Sequence, residues 1–139
     1  MAAHARSIAT LQSSLEVVVL HTTTRETLTA LKTAATLANG LSARIRLMVV
    51  QAVPYPLPLD QPAVPVSFMR RRFRTLAQNA SIETNVDIHL VREPSKVIES
   101  CLEPHSVVVT GARRSWWPSA SRKLARRLEQ LGHQVVYAN

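Results

Sequence analysis

The sequence contains little cysteine, and this scarcity excludes one class of protein. One cysteine in 139 residues rules out an intramolecular disulfide, and a reducing compartment is the natural setting. Cys101 has apolar neighbours, which predict a buried and unreactive thiol. No apolar run approaches the roughly 20 residues that span a bilayer, and residues 1–14 lack the apolar core of a signal peptide. We therefore expect no membrane association and a cytoplasmic protein, with a flexible lead-in over 1–14 and a single domain over 15–139.

Acidic residues are also few, and the excess of basic residues is concentrated. The net charge is +8, and ten of the seventeen Lys and Arg residues lie in two short segments, 70–74 and 113–127. Such clustering favours an anionic partner, whether a nucleotide, a nucleic acid, an acidic protein or a membrane surface. The alternative is that both clusters are solvated helix faces.

What the sequence does contain is an alternation of strand and helix patterns. Strands are predicted at 15–20, 43–53, 82–91, 106–111 and 133–139. Helices are predicted at 25–39 with a stop at Asn39-Gly40, from Val66 onward, briefly around 97–102 before Pro104, and from Pro118 or Ser119 to the stop at Gly132. The inward faces are predicted to be Leu28, Leu31, Ala35 and Ala38 in the first helix and Leu124, Leu128 and Leu131 in the last.

This pattern predicts a three-layer, doubly wound α/β fold. The strands at 15–20 and 106–111 each contain a continuous run of three valines and belong in the centre of a parallel sheet, whereas 82–91 alternates between apolar and polar residues and belongs at an edge. The predicted strand order is 3-2-1-4-5. In such sheets ligands bind at the switch point between the carboxyl ends of the two central strands. The loops HTTT and GARRSWWPS should converge there.

With this layout the chain resembles the universal stress protein family, a nucleotide-binding α/β group of adenine-nucleotide alpha-hydrolase-like fold. The resemblance spans about residues 15–138 and includes the VVVTG strand end at 107–111. In the nucleotide-binding branch, an Asp ends the first strand, and the motif G-x-x-G-x9-G-(S/T) follows the fourth. Here Gly111 matches the first glycine, Arg114 and Leu124 occupy the positions of the other two, and Thr22 is nearest to the Asp position.

The resemblance therefore implies the branch that lacks the glycine motif. A side chain at Arg114 obstructs close backbone approach to phosphates, so binding of ATP or another adenine nucleotide is not supported by the motif. An anionic ligand held by side chains in a remodelled crevice stays open. Its candidate ligand-binding residues are Thr22, Thr23, Gly111, Arg113, Arg114, Ser119 and Ser121. The alternative is that the arginines are solvated and the serines cap the last helix.

Three other features leave alternatives open. Trp116 and Trp117 are predicted to pack in the crevice or at a dimer contact, or else to stack on a base. The proline-rich segment 54–65 is either a flap over a site or a stiff surface connection. His21 is the one histidine placed for general-base chemistry, but no nucleophile or carboxylate accompanies it at a recognisable spacing, and no metal-ligand spacing is present.

Members of the resembling family often dimerise through the last strand, which implies a homodimer contact at Val135, Val136 and Tyr137. The function expected from these observations is that of a non-enzymatic stress-response or regulatory protein with a degenerate nucleotide site and no bound cofactor. The rival hypothesis is a module that binds a nucleotide or other phosphorylated ligand. Nucleic-acid association through the arginine clusters is a third hypothesis, less favoured because no RRM, KH or helix-turn-helix pattern is present.

Overall fold

The computed structural model describes residues 15–93, 98–103, 105–111 and 119–138, which form one parallel sheet with helices on both faces. The elements are β1 (Glu16–Leu20), α1 (Thr24–Leu41), β2 (Arg44–Ala52), α2 (Val66–Asn79), β3 (Asn85–Val91), a 3-10 helix (Glu99–Cys101), β4 (Val107–Thr110), α3 (Ser119–Gln130) and β5 (Gln134–Tyr137). The strand order β3-β2-β1-β4-β5 confirms the predicted topology. The predicted lead-in over 1–14 lies outside the described residues.

The two central strands are buried on both faces, as their continuous apolar sequences predict. Val17, Val19 and Val109 face α1 and α2, whereas Val18 and Val108 face the 3-10 helix and α3. Each of these five side chains is at most 1% exposed. None of the helices in the described ranges is long and apolar enough to cross a membrane.

Helix α1 extends beyond its predicted end. It passes through Asn39 and Gly40 to Leu41 and closes on Ser42, whose φ of 52° is left-handed. The N–H of Ser42 donates to carbonyls of the last turn, which satisfies them without a glycine. The predicted stop at Asn39-Gly40 is therefore wrong.

The buried face of α1 is also rotated relative to the prediction. Its buried residues are Thr27, Ala30, Leu31, Ala34 and Ala38, while Leu28 and Ala35 are only half-buried. A threonine can lie inside because its hydroxyl has partners there: Oγ1 of Thr27 is 2.8 Å from Nδ1 of His21 and 3.3 Å from the backbone nitrogen of Thr22. Hydrogen bonding removes most of the cost of burying a hydroxyl.

Strand β3 lies at the sheet edge, as predicted, but begins at Asn85. The connection from β3 to β4 contains only the 3-10 helix among the described residues, and Val97 and Pro104 of the predicted helix lie outside them. Cys101 is half-buried, so the prediction of a buried thiol is wrong. Its neighbours Ile98 and Leu102 take the buried positions, and Cys101 packs only partly against them.

Helix α3 buries Ala125 and Leu128, whereas Leu131 is 42% exposed. The predicted inward position of Leu131 is wrong because α3 ends at Gln130 and the chain turns before the next strand. Gly132 in that turn has a φ of 94°, which confirms it as the residue that stops the helix.

The proline-rich connection between β2 and α2 is attached to the end of β3. Nη1 of Arg92 donates to the carbonyl oxygens of Val53 at 2.9 Å and Leu57 at 2.7 Å. Its guanidinium also lies over the ring of Tyr55, 4.2 Å from the centroid. These contacts favour the tethered surface connection over a mobile flap.

Candidate functional site

The switch point lies where β1 and β4 end side by side. The two strands pair in parallel, with Val19 opposite Val109, and their connections then leave in opposite directions along the sheet. The β1 end leads to His21 and the start of α1, and the β4 end leads to Gly111. The carboxyl ends of the two central strands meet here, so this is the position at which the fold can hold a ligand.

The polar side chains at the start of α1 form hydrogen bonds with one another and with the backbone of the first turn. Oγ1 of Thr23, the N-cap residue, accepts a hydrogen bond from the backbone N–H of Glu26 at 3.2 Å. Oγ1 of Thr22 donates to the Glu26 carboxylate at 2.7 Å. Both predicted ligand residues on the β1 side thus bind Glu26, and the carboxylate is well placed beside the positive end of the helix dipole.

Gly111 allows the end of β4 to approach α1 closely. A Cβ at this position would lie 1.9 Å from the carbonyl oxygen of Glu26, far inside van der Waals contact. Residue 111 must therefore lack a side chain for the packing of a strand end on a helix, whether or not a phosphate binds. Glu26 thus lies against Thr22, Thr23 and Gly111, which are the predicted ligand-binding residues that the structure describes in full.

The remaining predicted ligand residues are described in part or not at all. Ser119 and Ser121 lie in the first turn of the described part of α3, and their side chains lie outside the described set. Arg113, Arg114 and the tryptophans Trp116 and Trp117 also lie outside it. Their roles remain predictions.

Sequence reasoning did not single out Glu26 or Arg72 as site residues. The spacing Thr23-x-x-Glu26 is a capping-box signal and could have identified the glutamate. Arg72 comes from α2, and its Nη2 donates to Oγ1 of Thr24 at 3.2 Å, which brings one residue of the first arginine cluster to the start of α1. That contact depends on how two helices pack and has no local signal.

His21 is held in a structural arrangement. Nδ1 lies 2.8 Å from the Thr27 hydroxyl oxygen, and the ring packs edge-on against Phe73 with centroids 4.6 Å apart. Burial, and secondarily the positive charge of Arg72, lower the pKa of His21 below its ordinary value. The imidazole is therefore neutral at physiological pH and links β1, α1 and α2.

The predicted dimer residues lie on edge strand β5. Val135, Val136 and Tyr137 are half-buried, and Val136 packs against the core on the α1 side of the sheet. Val135 packs beside Ala125 on the opposite face. Within the described part of the chain, β4 is the only strand that pairs with β5.

Comparison with solved structures identifies the architecture. A universal stress protein family structure from Burkholderia pseudomallei matches with a TM-score of 0.60 at 18% identity, over 88% of this chain and 93% of that one. The universal stress protein from Archaeoglobus fulgidus in complex with dAMP matches with a TM-score of 0.60 at 12% identity, over 90% and 98%. This chain has the universal stress protein fold.

A third universal stress protein, solved in complex with cAMP, matches with a TM-score of 0.57 at 15% identity, over 90% of this chain and 97% of that one. No protein-family profile and no curated protein matches the chain by sequence. The universal stress protein fold predicted from the element pattern is thus confirmed over nearly the whole chain, while the sequence has diverged far from these structures.

Proposed function

We propose that this chain is a non-enzymatic regulatory protein of the universal stress protein type, cytoplasmic and homodimeric, whose nucleotide site is degenerate. The observation that carries the proposal is the position of Glu26 at the switch point. Its backbone lies against Gly111, its N–H is bonded to Thr23, and its carboxylate accepts from Thr22. The first turn of α1 has thereby satisfied one of its outward amides internally.

A carboxylate at this position disfavours a phosphorylated ligand electrostatically. A phosphate next to Thr22 would face the Glu26 carboxylate, and like charges at short range repel each other. Arg72 of α2 donates from its Nη2 to Thr24 at the start of α1 and offsets part of this negative charge, but its side chain is exposed. The balance favours an unliganded regulatory scaffold over a triphosphate site.

The non-enzymatic part of the proposal is supported by His21. Its Nδ1 is engaged with Thr27 and its ring with Phe73, which is the environment of a packing residue rather than a general base. The homodimeric part is supported by the position of β5 at the end of the sheet, where an exposed strand edge favours pairing with another strand.

Binding of a nucleotide through its sugar is the alternative that a specific observation favours. The comparison structures include complexes with cAMP and dAMP. In the nucleotide-binding branch of the family that the chain resembles, a carboxylate at the end of the first strand contacts the nucleotide. Here Glu26 places a carboxylate against Thr22, the residue nearest to that position. A carboxylate is a good acceptor for ribose hydroxyls.

Thermal unfolding in the presence of nucleotides distinguishes a degenerate site from a site that binds a nucleotide through its sugar. A ligand at ten times its Kd raises the free energy of unfolding by about 1.4 kcal/mol, which raises the melting temperature by several degrees. We expect no rise with ATP, ADP, AMP, cAMP or adenosine at millimolar concentration. A rise with any of them contradicts the degenerate site.

The variant Glu26→Gln tests whether the charge of the Glu26 carboxylate is what disfavours a phosphorylated ligand. Gln keeps the size of the side chain and removes its charge. If the carboxylate is what repels phosphate, ATP should stabilise Glu26→Gln more than the wild type. If adenosine or cAMP stabilises the wild type and the variant loses this effect, Glu26 binds the sugar, and the alternative is correct.

A further inference from the structure

A second cluster of reactive side chains lies on the opposite face of the sheet, away from the switch point. Cys101 of the 3-10 helix has its Sγ 3.7 Å from Nδ1 of His89 on β3. The other ring nitrogen, Nε2 of His89, lies 2.8 Å from Oδ2 of Asp87. Cysteine, imidazole and carboxylate are thus aligned in that order, as in the arrangement of a nucleophile, its base and the group that orients the base.

The carboxylate end of this alignment is anchored by Arg46 on the neighbouring strand β2. Nη1 of Arg46 donates to Oδ2 of Asp87 at 2.9 Å, and Nε lies 3.3 Å from the carboxylate of Glu16 on β1. The Arg46 side chain is only 14% exposed. Its Nη2 also lies 3.4 Å from the carbonyl oxygen of Cys101, so a fixed positive charge lies near the thiol-bearing residue.

Asp87 is ionised at neutral pH. Its partial burial acts to raise the pKa of the carboxyl group, but the hydrogen bonds from His89 and Arg46 outweigh burial and lower the pKa overall. The carboxylate therefore accepts the Nε2–H of His89, and Nδ1 is left with a lone pair directed at the thiol. This tautomer is the one in which the imidazole can take the thiol proton.

The cluster is better suited to nucleophilic chemistry than to a metal. Asp87 and Cys101 contact opposite ring nitrogens of His89, so their donor atoms diverge, and no group of three His, Cys, Asp or Glu side chains in the described residues could hold a metal ion. Asp87 and His89 are about 30% exposed and Cys101 is only half-buried, so the cluster lies at the protein surface rather than in the core.

We propose that Cys101 is a nucleophilic thiol that reacts with hydroperoxides, with His89 as its base and Asp87 positioning that base. The sulfur attacks the terminal oxygen of the hydroperoxide, so an S–O bond forms and the O–O bond breaks. The thiol proton passes to Nδ1 of His89 and then to the leaving oxygen, which departs as an alcohol, or as water from hydrogen peroxide. Sulfur is oxidised to a sulfenic acid by two electrons, and the peroxide is reduced by the same two.

The chain has no second cysteine, so it cannot resolve this sulfenic acid internally. The modification persists until a low-molecular-weight thiol condenses with it, forming a mixed disulfide and releasing water. A second molecule of that thiol then attacks the mixed disulfide, leaves as the small-molecule disulfide and restores the Cys101 thiol. The site is therefore a reversible modification site rather than a turnover enzyme, and it is independent of the nucleotide question at the switch point.

The test measures the rate at which hydrogen peroxide adds one oxygen to Cys101 at pH 7, located by peptide mass spectrometry to separate it from methionine oxidation. An ordinary thiol is only a few per cent thiolate at this pH, so a base that takes its proton can raise the rate by up to about 30-fold. We expect native wild type to react roughly tenfold faster than the same chain unfolded in urea, after correction with a small thiol measured in both solutions. An equal or slower native rate overturns the proposal, and this comparison needs no variant.

The variant His89→Gln assigns the effect to the imidazole. Gln keeps a polar side chain beside Asp87 and cannot accept the thiol proton as a base. We expect its rate to fall about tenfold, to the level of the unfolded chain. The control His105→Gln, an exposed histidine four residues after Cys101 whose Nδ1 lies 3.3 Å from the carbonyl oxygen of Gly132, should react as the wild type does. If His89 only packed around the sulfur, His89→Gln would loosen the site, expose the thiol and raise the oxidation rate of Cys101. An unchanged or faster rate in His89→Gln therefore overturns the role of His89 as a base.

Discussion

Gly111 sets the distance between the end of β4 and the first turn of α1. The position tolerates no Cβ, since one would lie 1.9 Å from a backbone oxygen that cannot rotate away as a side chain could. The glycine that the sequence suggested for phosphate contact is thus required by packing alone. Its presence is no evidence for a ligand.

The substitution Gly111→Ala should destabilise the protein by about 1–3 kcal/mol or more, the cost of overpacking against a rigid neighbour. Gly40→Ala is the matched control: a Cβ there meets nothing within 4 Å and the residue is helical, so alanine should stabilise by about 0.5–1 kcal/mol. Urea unfolding measures both. Equal effects of the two substitutions would contradict the close approach of β4 to α1.

His21 makes stability depend on pH. Its pKa in the folded protein is lowered by burial and then by Arg72, so below the ordinary value near 6.5 the unfolded chain binds more protons than the folded one. The contribution of His21 to the free energy of unfolding is complete above that value and decreases as pH falls through the folded pKa.

The wild type should therefore lose stability between pH 7.5 and pH 5.5, and His21→Gln should lose less over the same interval. Gln retains a hydrogen-bonding group for Thr27 but does not titrate. Urea unfolding at the two pH values gives the comparison. Parallel losses in both proteins would mean that His21 is not the titrating group.

At the scale of elements, the connection between β2 and α2 is ordered by one side chain from outside it. Arg92 bonds two carbonyl groups of the connection and covers the ring of Tyr55, although Tyr55 is 79% exposed. The prolines restrict the backbone locally, but the position of the segment relative to the sheet is set by this contact.

Replacing Arg92 with Gln should release the connection. Hydrogen bonds from a charged donor contribute about 1.5–3 kcal/mol each, so the amides of Leu57 and Gln61, which close turns in the segment, should exchange with solvent about tenfold faster or more. Arg71→Gln, on the exposed face of α2, is the control and should leave these rates unchanged. If Arg92→Gln also leaves them unchanged, the turns are held by the prolines alone.

At the scale of the whole molecule, the proposed dimer depends on the outer edge of β5. The N–H of Gln134 donates to the carbonyl oxygen of Ser106, just before β4, and the N–H of Ala138 donates to that of Thr110, the last residue of β4. The two-residue period of a strand directs the N–H of Val135 to the other side. A twin strand would pair with this side. Val136 is a poor test position because it packs against the core.

Val135→Pro removes the outward N–H without removing a bond to β4, and it should convert the proposed dimer to monomers in light scattering. Val135→Ala shortens the side chain to a similar extent, keeps the N–H, and should remain dimeric. If both variants stay dimeric, the contact lies on another surface; if the wild type is monomeric, the homodimer proposal is wrong.

The fold was predictable from local pattern because the elements are defined by residues close in the chain. Continuous apolar runs placed β1 and β4 at the centre, and alternation placed β3 at an edge. Helix details were less predictable. Thr27 replaced Leu28 on the inner face of α1 because its hydroxyl found partners at His21 and Thr22 in the preceding loop, and Cys101 was only half-buried.

The sequence by itself determined the order of strands and helices and the universal stress protein architecture, because periodicity and spacing are local properties. Only the tertiary structure decided what the charged and polar residues do. It brought Glu26 against Gly111 at the switch point, and it aligned Cys101, His89 and Asp87 across a strand and a 3-10 helix. Hydrogen bonds and proton transfer depend on distances of a few ångströms between residues far apart in the chain, and such distances are set by packing.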